Sequence, residues 1–288
     1  MTRQLGLMQG RLSPPWRGRF QAFPADTWRS EFAAAAACGL QRIEWIVDDP
    51  DWETNPLLHE EGRLEIARLA SESGVQVRSA CADLFMPNPL HSCPDDLLAR
   101  RAAWLERIID AAGAAGLEHV DVPFVDASAI RDDRAFETTA AVLRLAALRA
   151  ADAGLKLCLE TALEPARFRV LLEAIGHPSV GANHDIGNSA SLGYAPADEF
   201  RAIGPWVSCV HIKDRRRGGG TVPLGTGDAD FPAAFEALQR AGYAGHFILQ
   251  AARGESGDEL EWTRANAAFA RRWMSVLDGT EVGHGPRS

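Results

Sequence analysis

The sequence predicts a single (β/α)8 TIM barrel, an α/β fold in which eight parallel strands alternate with helices. Short apolar stretches of strand character recur along the chain, and an amphipathic helical pattern follows each of them. Glycines recur on average about every 34 residues where a helix would give way to the next strand, which matches the length of one strand–helix unit. An open nucleotide-binding sheet would have a glycine-rich turn after its first strand. That position holds MQGRLSPPW, so a closed barrel is favoured over an open doubly wound sheet.

Each strand is predicted from a short apolar run bounded by turn residues. The eight predicted strands cover residues 5–8, 42–47, 75–80, 119–124, 155–159, 180–182, 207–210 and 246–249. Helices are predicted where apolar residues recur three and four positions apart, most clearly in 97–112 and 136–150. Seven glycines are predicted just past helix ends, where a left-handed backbone suits a residue without a Cβ: Gly39, Gly74, Gly116, Gly154, Gly176, Gly204 and Gly242.

The composition limits the classes of function. The chain has 288 residues, 46% of them hydrophobic, which is enough for one large barrel core. A net charge of -9 argues against a nucleic-acid partner, and no stretch approaches the roughly 18 apolar residues of a membrane span. Five cysteines without a CxxC pair, and an N-terminus without a signal-peptide pattern, predict free thiols and a cytoplasmic protein. Residues 1–278 are predicted to form the barrel and 279–288 a flexible polar tail.

Polar residues follow the predicted strands, at the end of a barrel where catalytic groups gather. Glu160, Asp185 and His211 are 25 and 26 residues apart, so they are expected on successive strands, and Gln250 follows the last strand. Two carboxylates, an imidazole and an amide oxygen suit a divalent cation. Mn²⁺ is favoured, and Co²⁺, Mg²⁺ or Zn²⁺ also fit.

Seven motifs give the chain a resemblance to a known family. They are LGLMQGRLSP, GLQRIEWIVDD, LCLETAL, HDIGNSASLGY, VHIKDR, VPLGTGDADF and ILQAAR. With them the chain resembles the sugar phosphate isomerase/epimerase family of xylose-isomerase-like TIM barrels. The resemblance implies a metal-dependent enzyme that moves a proton through an enediolate, with the metal held by Glu, Asp, His and Glu on strands five to eight. The first three match Glu160, Asp185 and His211, whereas the fourth position holds Gln250.

Gln250 is a departure with consequences, because an amide cannot act as the second base. Glu160 is expected to take the proton, and Glu44 and Lys213 are the further catalytic candidates in place of the missing carboxylate. Asp83 and His184 are weaker candidates for the same relay. Alternatively, aldose–ketose isomerisation needs a base on only one face. A dehydratase of a keto-sugar or keto-inositol, or a sugar-binding pseudoenzyme, also remains open.

The expected partner is a small carbohydrate, and a homodimer is possible. Arg11, Arg217 and Arg253 are candidates for binding an anionic substrate, although Arg217 could equally belong to a solvated basic loop. Asn188 is expected to contact the substrate or orient a ligand. Neither the sugar nor its phosphorylation state follows from the sequence.

Overall fold

Eight parallel strands close into a barrel, which confirms the predicted fold. The computed structural model describes residues 3–254 and 257–278, so the predicted tail lies outside the described residues. The strands are hydrogen-bonded in the order β1-β10-β7-β6-β5-β4-β3-β2 around the barrel. Their bounds are β1 Leu5–Met8, β2 Arg42–Ile46, β3 Gln76–Cys81, β4 His119–Phe124, β5 Lys156–Thr161, β6 Val180–Asp185, β7 Val207–Ile212 and β10 Phe247–Leu249.

Helices pack around the barrel after the strands, as the apolar periodicity predicted. They are α1 Ser30–Ala37, α2 Glu60–Ser73, α3 Asp95–Ala114, α4 Asp133–Asp152, α5 Pro165–Ile175, α6 Ile186–Leu192, α7 Pro196–Ile203, α8 Phe231–Arg240 and α9 Glu259–Met274. Two short helices, α6 and α7, stand between β6 and β7. An antiparallel ribbon of β8 (Asp214–Arg215) and β9 (Thr221–Val222) stands between β7 and β10, and the sequence did not predict it. None of the described helices is both long and apolar enough to cross a membrane.

The predicted strands lie in the correct places, but three of them were predicted too short. β5, β6 and β7 continue to Thr161, Asp185 and Ile212, beyond the apolar runs that end at 159, 182 and 210. Apolar character stops there because the strand ends carry the polar side chains of the barrel mouth. Backbone pairing continues, and Asp185 is the register partner of His211 on the neighbouring strand.

The core has two layers, as a barrel of this kind requires. Small sulfur-containing and branched side chains fill the inside of the barrel: Met8, Ile46, Cys81, Cys158, Cys209 and Ile248. Larger side chains pack between the strands and the helices, among them Trp28, Phe32, Trp45, Phe85, Phe124 and Phe235. All five cysteines are free thiols and four of them are buried, in agreement with the prediction.

Six of the seven predicted glycines have a positive φ at the end of a helix, and Gly204 does not. Gly204 has φ −46 because it continues from α7 into a short 3-10 turn with Pro205 instead of ending the helix in the left-handed region. The prediction for Gly204 was therefore wrong. The recurring glycine nevertheless locates the other helix ends correctly.

Candidate active site

The four predicted metal ligands meet at the mouth of the barrel. Glu160 and Asp185 lie at the ends of β5 and β6, His211 lies near the end of β7, and Gln250 directly follows β10. Each of the four is at most 5% exposed. The Asp185 Oδ2 and His211 Nδ1 atoms are 4.0 Å apart, a separation at which both could bind one ion. Lys213 also lies here, with its Nζ 3.4 Å from Asp185 Oδ2 and 3.0 Å from Gln250 Oε1.

The junction of β6 and α6 orients the two carboxylates. The strand runs directly into the helix, and Asp185 becomes the helix N-cap, with Oδ1 accepting from the backbone N–H of Asn188 at 2.7 Å. The Asn188 side chain donates in turn to Glu160 Oε1. A Cβ on Gly187 would lie 2.8 Å from Lys213 Cγ, so only glycine lets Lys213 approach this closely. Asn188 therefore contacts both acidic groups, through its backbone N–H and through its side chain.

Glu160 has the electrostatic character of a base that works near neutral pH. Burial, together with the negative charge of Asp185, raises the pKa of Glu160 to about 7, against the opposing effects of Lys213 and His211. In the metal-free site, a group with such a pKa accepts and releases a proton readily at physiological pH, and a cation bound beside it would lower this pKa.

His211 is held from beneath by a second carboxylate. The His211 Nε2 atom is 2.8 Å from Glu44 Oε1, and both side chains are fully buried. Burial acts to lower the pKa of His211, but the charge of Glu44 outweighs it, so this pKa lies well above its usual value. Glu44 was expected as a catalytic candidate. Residue 44 lies in the middle of β2, where its carboxylate faces His211, and single donor atoms of Glu44, Cys209 and His211 lie within 4.8 Å of one another.

Gln21, which the sequence did not single out, fixes the orientation of Gln250. The Gln21 Oε1 atom accepts from Gln250 Nε2 at 3.2 Å and from Arg11 at 3.0 Å, and its amide donates to Asp83. Gln250 therefore presents Oε1, its only ligating atom, towards Lys213 and Asp185. No sequence signal marked Gln21, because it lies in an irregular loop after β1.

The donor types at the mouth suit a divalent ion, although neither set of three donors that the described residues bring within 4.8 Å of one another includes Asp185. Oxygens of Glu160, Asp185 and Gln250 lie with an imidazole nitrogen, and the buried Asp185 Oδ2 pairs with the Lys213 ammonium at 3.4 Å without a well-aligned hydrogen bond among the described residues. Asp121 adds a further buried carboxylate that was not predicted as a ligand. Single donor atoms of Asp121, Glu160 and His211 lie within 4.8 Å of one another. The ammonium of Lys213 contacts the oxygens of Asp185 and Gln250. It would therefore have to move away from these oxygens when an ion binds to them.

Arg11 and Arg253 do not present free guanidinium groups to a substrate, which corrects both predictions. Arg253 donates to the backbone carbonyls of Gly10, Ser13 and Phe20 at 2.7 to 2.9 Å. Arg11 also donates to the carbonyl of Phe20, and burial lowers its pKa to about 9. Long side chains reach partners that depend on the path of a loop, and here they hold the loop that follows β1.

Arg217 is exposed and lies outside the mouth, so its predicted substrate contact is also corrected. Its guanidinium lies against Gly193, and it lines a surface pocket with His184, which faces the helix layer. Arg215 takes the place at the site, where it donates to Asn188 Oδ1 at 2.8 Å. Because three arginines follow one another, the sequence pattern does not indicate which of them faces the mouth.

Replacing Arg253 with alanine is expected to destabilise the protein without a selective loss of binding to phosphorylated sugars. The change leaves three backbone carbonyls without their charged donor and should cost about 2 kcal/mol of unfolding free energy. Chemical denaturation measures it, and Arg216→Ala, at an exposed position of the basic loop, is the matched control. The structural role of Arg253 would be contradicted if the variant kept its stability and bound only phosphorylated ligands more weakly.

Comparison with known proteins identifies the family and supports the fold. The family described as xylose isomerase-like TIM barrel matches residues 32–273. A 2-epi-5-epi-valiolone 7-phosphate 2-epimerase from Actinoplanes is 29% identical over 280 residues, which cover 94% of this chain and 97% of the relative. The L-ribulose-5-phosphate 3-epimerase UlaE of Salmonella typhi is 25% identical over 268 residues, covering 89% and 92%.

Solved structures with low sequence identity share the fold. A structure of L-ribulose 3-epimerase superposes with a TM-score of 0.75 at 19% identity, covering 99% of this chain and 100% of the other. The 3-keto-D-glucoside 4-epimerase YcjR from E. coli has a TM-score of 0.71 at 20% identity, covering 94% and 99%. Together with the family match over most of the sequence, these findings confirm the resemblance, and the chain belongs to the xylose isomerase-like TIM-barrel family.

Proposed function

We propose that the protein is a divalent-metal-dependent isomerase or epimerase of a small sugar, ketose or sugar phosphate. The enzyme abstracts a proton from a substrate carbon next to a carbonyl, and the substrate becomes an enediolate intermediate. The observation that carries the proposal is that the buried Glu160, Asp185, His211 and Gln250 come together at the mouth of the barrel, beside Lys213. Two relatives, named as epimerases of 2-epi-5-epi-valiolone 7-phosphate and of L-ribulose 5-phosphate, support this substrate class.

The metal would be held by Glu160, Asp185, His211 and Gln250. Mn²⁺ suits this set of oxygen and nitrogen donors, and Co²⁺, Mg²⁺ or Zn²⁺ would also fit. Once bound, such an ion supplies Lewis acidity to adjacent substrate oxygens. Glu44 would orient His211 from behind, in the manner of the carboxylates that commonly support metal-binding histidines.

Glu160 removes the proton, and Lys213 is the group that takes over from the missing second carboxylate. The Lys213 ammonium lies 3.0 Å from Gln250 Oε1, so it reaches the place where a glutamate would stand. It can stabilise negative charge on the enediolate oxygen and return a proton from its side of the site. Asn188 and Arg215 keep Glu160 in position.

The proposal is tested by incubating the Mn²⁺-loaded protein with a panel of ketoses, aldoses and their phosphates in D₂O. Deuterium is expected at a carbon next to the carbonyl, together with a new epimer or isomer. No exchange and no new sugar with any member of a broad panel would overturn the proposal.

A dehydratase is the second candidate, and Lys213 favours it. An ammonium beside the enediolate could protonate a departing hydroxyl group instead of the carbon. The same incubations separate the two reactions, because elimination gives a product lighter by one water.

For either reaction we propose a cytoplasmic location, which the five free thiols support.

Mn²⁺ is expected to stabilise the protein against heat. An ion that binds only the folded state stabilises it by about 2.7 kcal/mol at a hundredfold excess over its Kd. Differential scanning fluorimetry with and without Mn²⁺ measures the shift in Tm, and Asp185→Asn should reduce it strongly because Asp185 Oδ2 is a proposed ligand atom. An equal shift in Asp126→Asn and Asp185→Asn would place the ion elsewhere, since Asp126 is exposed.

A further inference from the structure

The barrel has an opening in its side between β5 and β6, next to the candidate site. The two strands pair only from Leu157, opposite Val180, to Leu159, opposite Ala182. Both strands continue, to Thr161 and Asp185, without pairing to each other. β6 instead stays paired with β7 through an irregularity after Ala182. The strands therefore separate at the level of Glu160 and Asp185.

A small cavity lies at this opening, and about half of its lining is polar. It offers about 20 Å³ to the centre of a water molecule, more than the roughly 10–15 Å³ that one water needs. Three buried side-chain atoms of residues that line it have no hydrogen-bond partner among the described residues: Thr161 Oγ1, His184 Nε2 and Glu199 Oε2. Buried polar atoms without partners are costly, and a bound water needs two to four such partners. Size and lining together point to water as the occupant.

The cavity borders a larger pocket that opens on the helix side of the barrel. This outer pocket has a volume of about 350 Å³ and shares His184, Ser189, Tyr194 and Glu199 with the cavity. Glu199, in the first turn of α7, therefore stands between the two spaces. Its Oε1 accepts from Ser189 at 2.6 Å, while its buried Oε2 has no hydrogen-bond partner among the described residues.

The nearest basic group does not neutralise Glu199 by direct contact. The His184 Nδ1 atom is 3.9 Å from Glu199 Oε1, beyond hydrogen-bond distance, and its ring packs edge-on against Phe200. A buried carboxyl group with one free oxygen is best satisfied by water at this position. The same water would connect Glu199 to Thr161 and the site.

We propose that a water-filled passage crosses the barrel between β5 and β6 and joins the candidate site to the outer pocket, with Glu199 at its outer end. Water is the molecule that occupies this passage. The passage is a property of the fold and does not depend on the reaction. Its use, to exchange protons with solvent while a substrate covers the mouth, rests on the proposed function.

The passage itself is tested by a crystal structure of the protein. Ordered water is expected within hydrogen-bond distance of Thr161 Oγ1 and Glu199 Oε2. In Glu199→Met an apolar side chain of similar size should displace this water, whereas Glu199→Gln should keep it. A wild-type structure with well-ordered surface water and no density in the cavity would overturn the passage, whatever the reaction proves to be.

The use of the passage is tested by isotope exchange once a substrate is known. During turnover in D₂O, Glu199→Met and Thr161→Val are expected to lower the deuterium content of the product severalfold. The matched control is Thr139→Val, on α4 and away from the cavity, which removes another buried hydroxyl that has no hydrogen-bond partner within the described part of the chain. Equal deuterium content in all variants would exclude proton exchange through the passage and leave the proposed reaction intact.

Discussion

The Glu160→Gln variant is expected to lose about a thousandfold in kcat, within the range that general acid–base catalysis contributes. Glutamine keeps the size of the side chain and its oxygen, but it cannot accept the proton that the proposed reaction removes. Asn188 donates to the carboxylate and Asp185 lies beside it, so the charge of Glu160 is both oriented and raised in basicity. The measured quantities are kcat and the rate of deuterium exchange, which should fall together.

Glu31 provides a matched control for this substitution. It is also buried, and burial raises its pKa to about 7, but its carboxylate accepts from Gly10, Leu12 and Ser13 in the loop after β1. Glu31→Gln is therefore expected to lower stability more than kcat. A Glu160→Gln enzyme with nearly normal kcat would rule out Glu160 as the base.

The raised pKa of Glu160 also predicts how stability changes with pH. The folded value of about 7 lies above the unfolded value near 4.5, so the folded metal-free protein retains a proton that the unfolded chain has lost. The contribution of Glu160 to stability is therefore present at low pH and declines as the pH rises from about 4.5 through 7. Glu160→Gln should flatten this part of the metal-free stability profile, which denaturant titration at a series of pH values measures.

The sequence predicted the features that repeat around the barrel. The strand–helix alternation gave the fold, and the rule that catalytic groups follow the strands led to Glu160, Asp185 and His211. Both predictions depend on local sequence pattern. In a closed barrel of parallel strands, a residue's place relative to its strand end determines where its side chain lies. The extension of β6 to Asp185 was missed only because polarity was taken as the end of the strand.

The incorrect expectations depend on depth and on loop paths, which local pattern does not contain. Glu44 alternates like an inward residue, but its level in the barrel follows from how β2 pairs with β1 and β3. Arg253 reaches residues more than two hundred positions away in sequence, and only the folded loop after β1 provides those carbonyls. The opening between β5 and β6 depends on where two strands stop pairing, which composition does not show.

Lys213→Met is expected to lower kcat about a hundredfold while leaving metal binding intact or tighter. Methionine keeps the apolar part of the side chain and removes the ammonium, which now lies 3.4 Å from Asp185 Oδ2 and 3.0 Å from Gln250 Oε1. Losing this positive charge removes a competitor for two proposed ligand atoms. Steady-state kinetics and titration calorimetry with Mn²⁺ measure the two effects separately. Lys156→Met, at an exposed position at the start of β5, is the control.

Adding Gln250→Glu to Lys213→Met tests whether the lysine has taken over the function of the missing carboxylate. If it has, a glutamate at position 250 should restore much of the lost kcat, because a second base then stands opposite Glu160. In the wild-type background the same glutamate would pair with Lys213 and add little. The reverse pattern, in which Gln250→Glu alone creates activity in an otherwise inactive protein, would identify a sugar-binding protein that has lost its second base. Lys213 would then be a counter-ion for Asp185 and have no part in proton transfer.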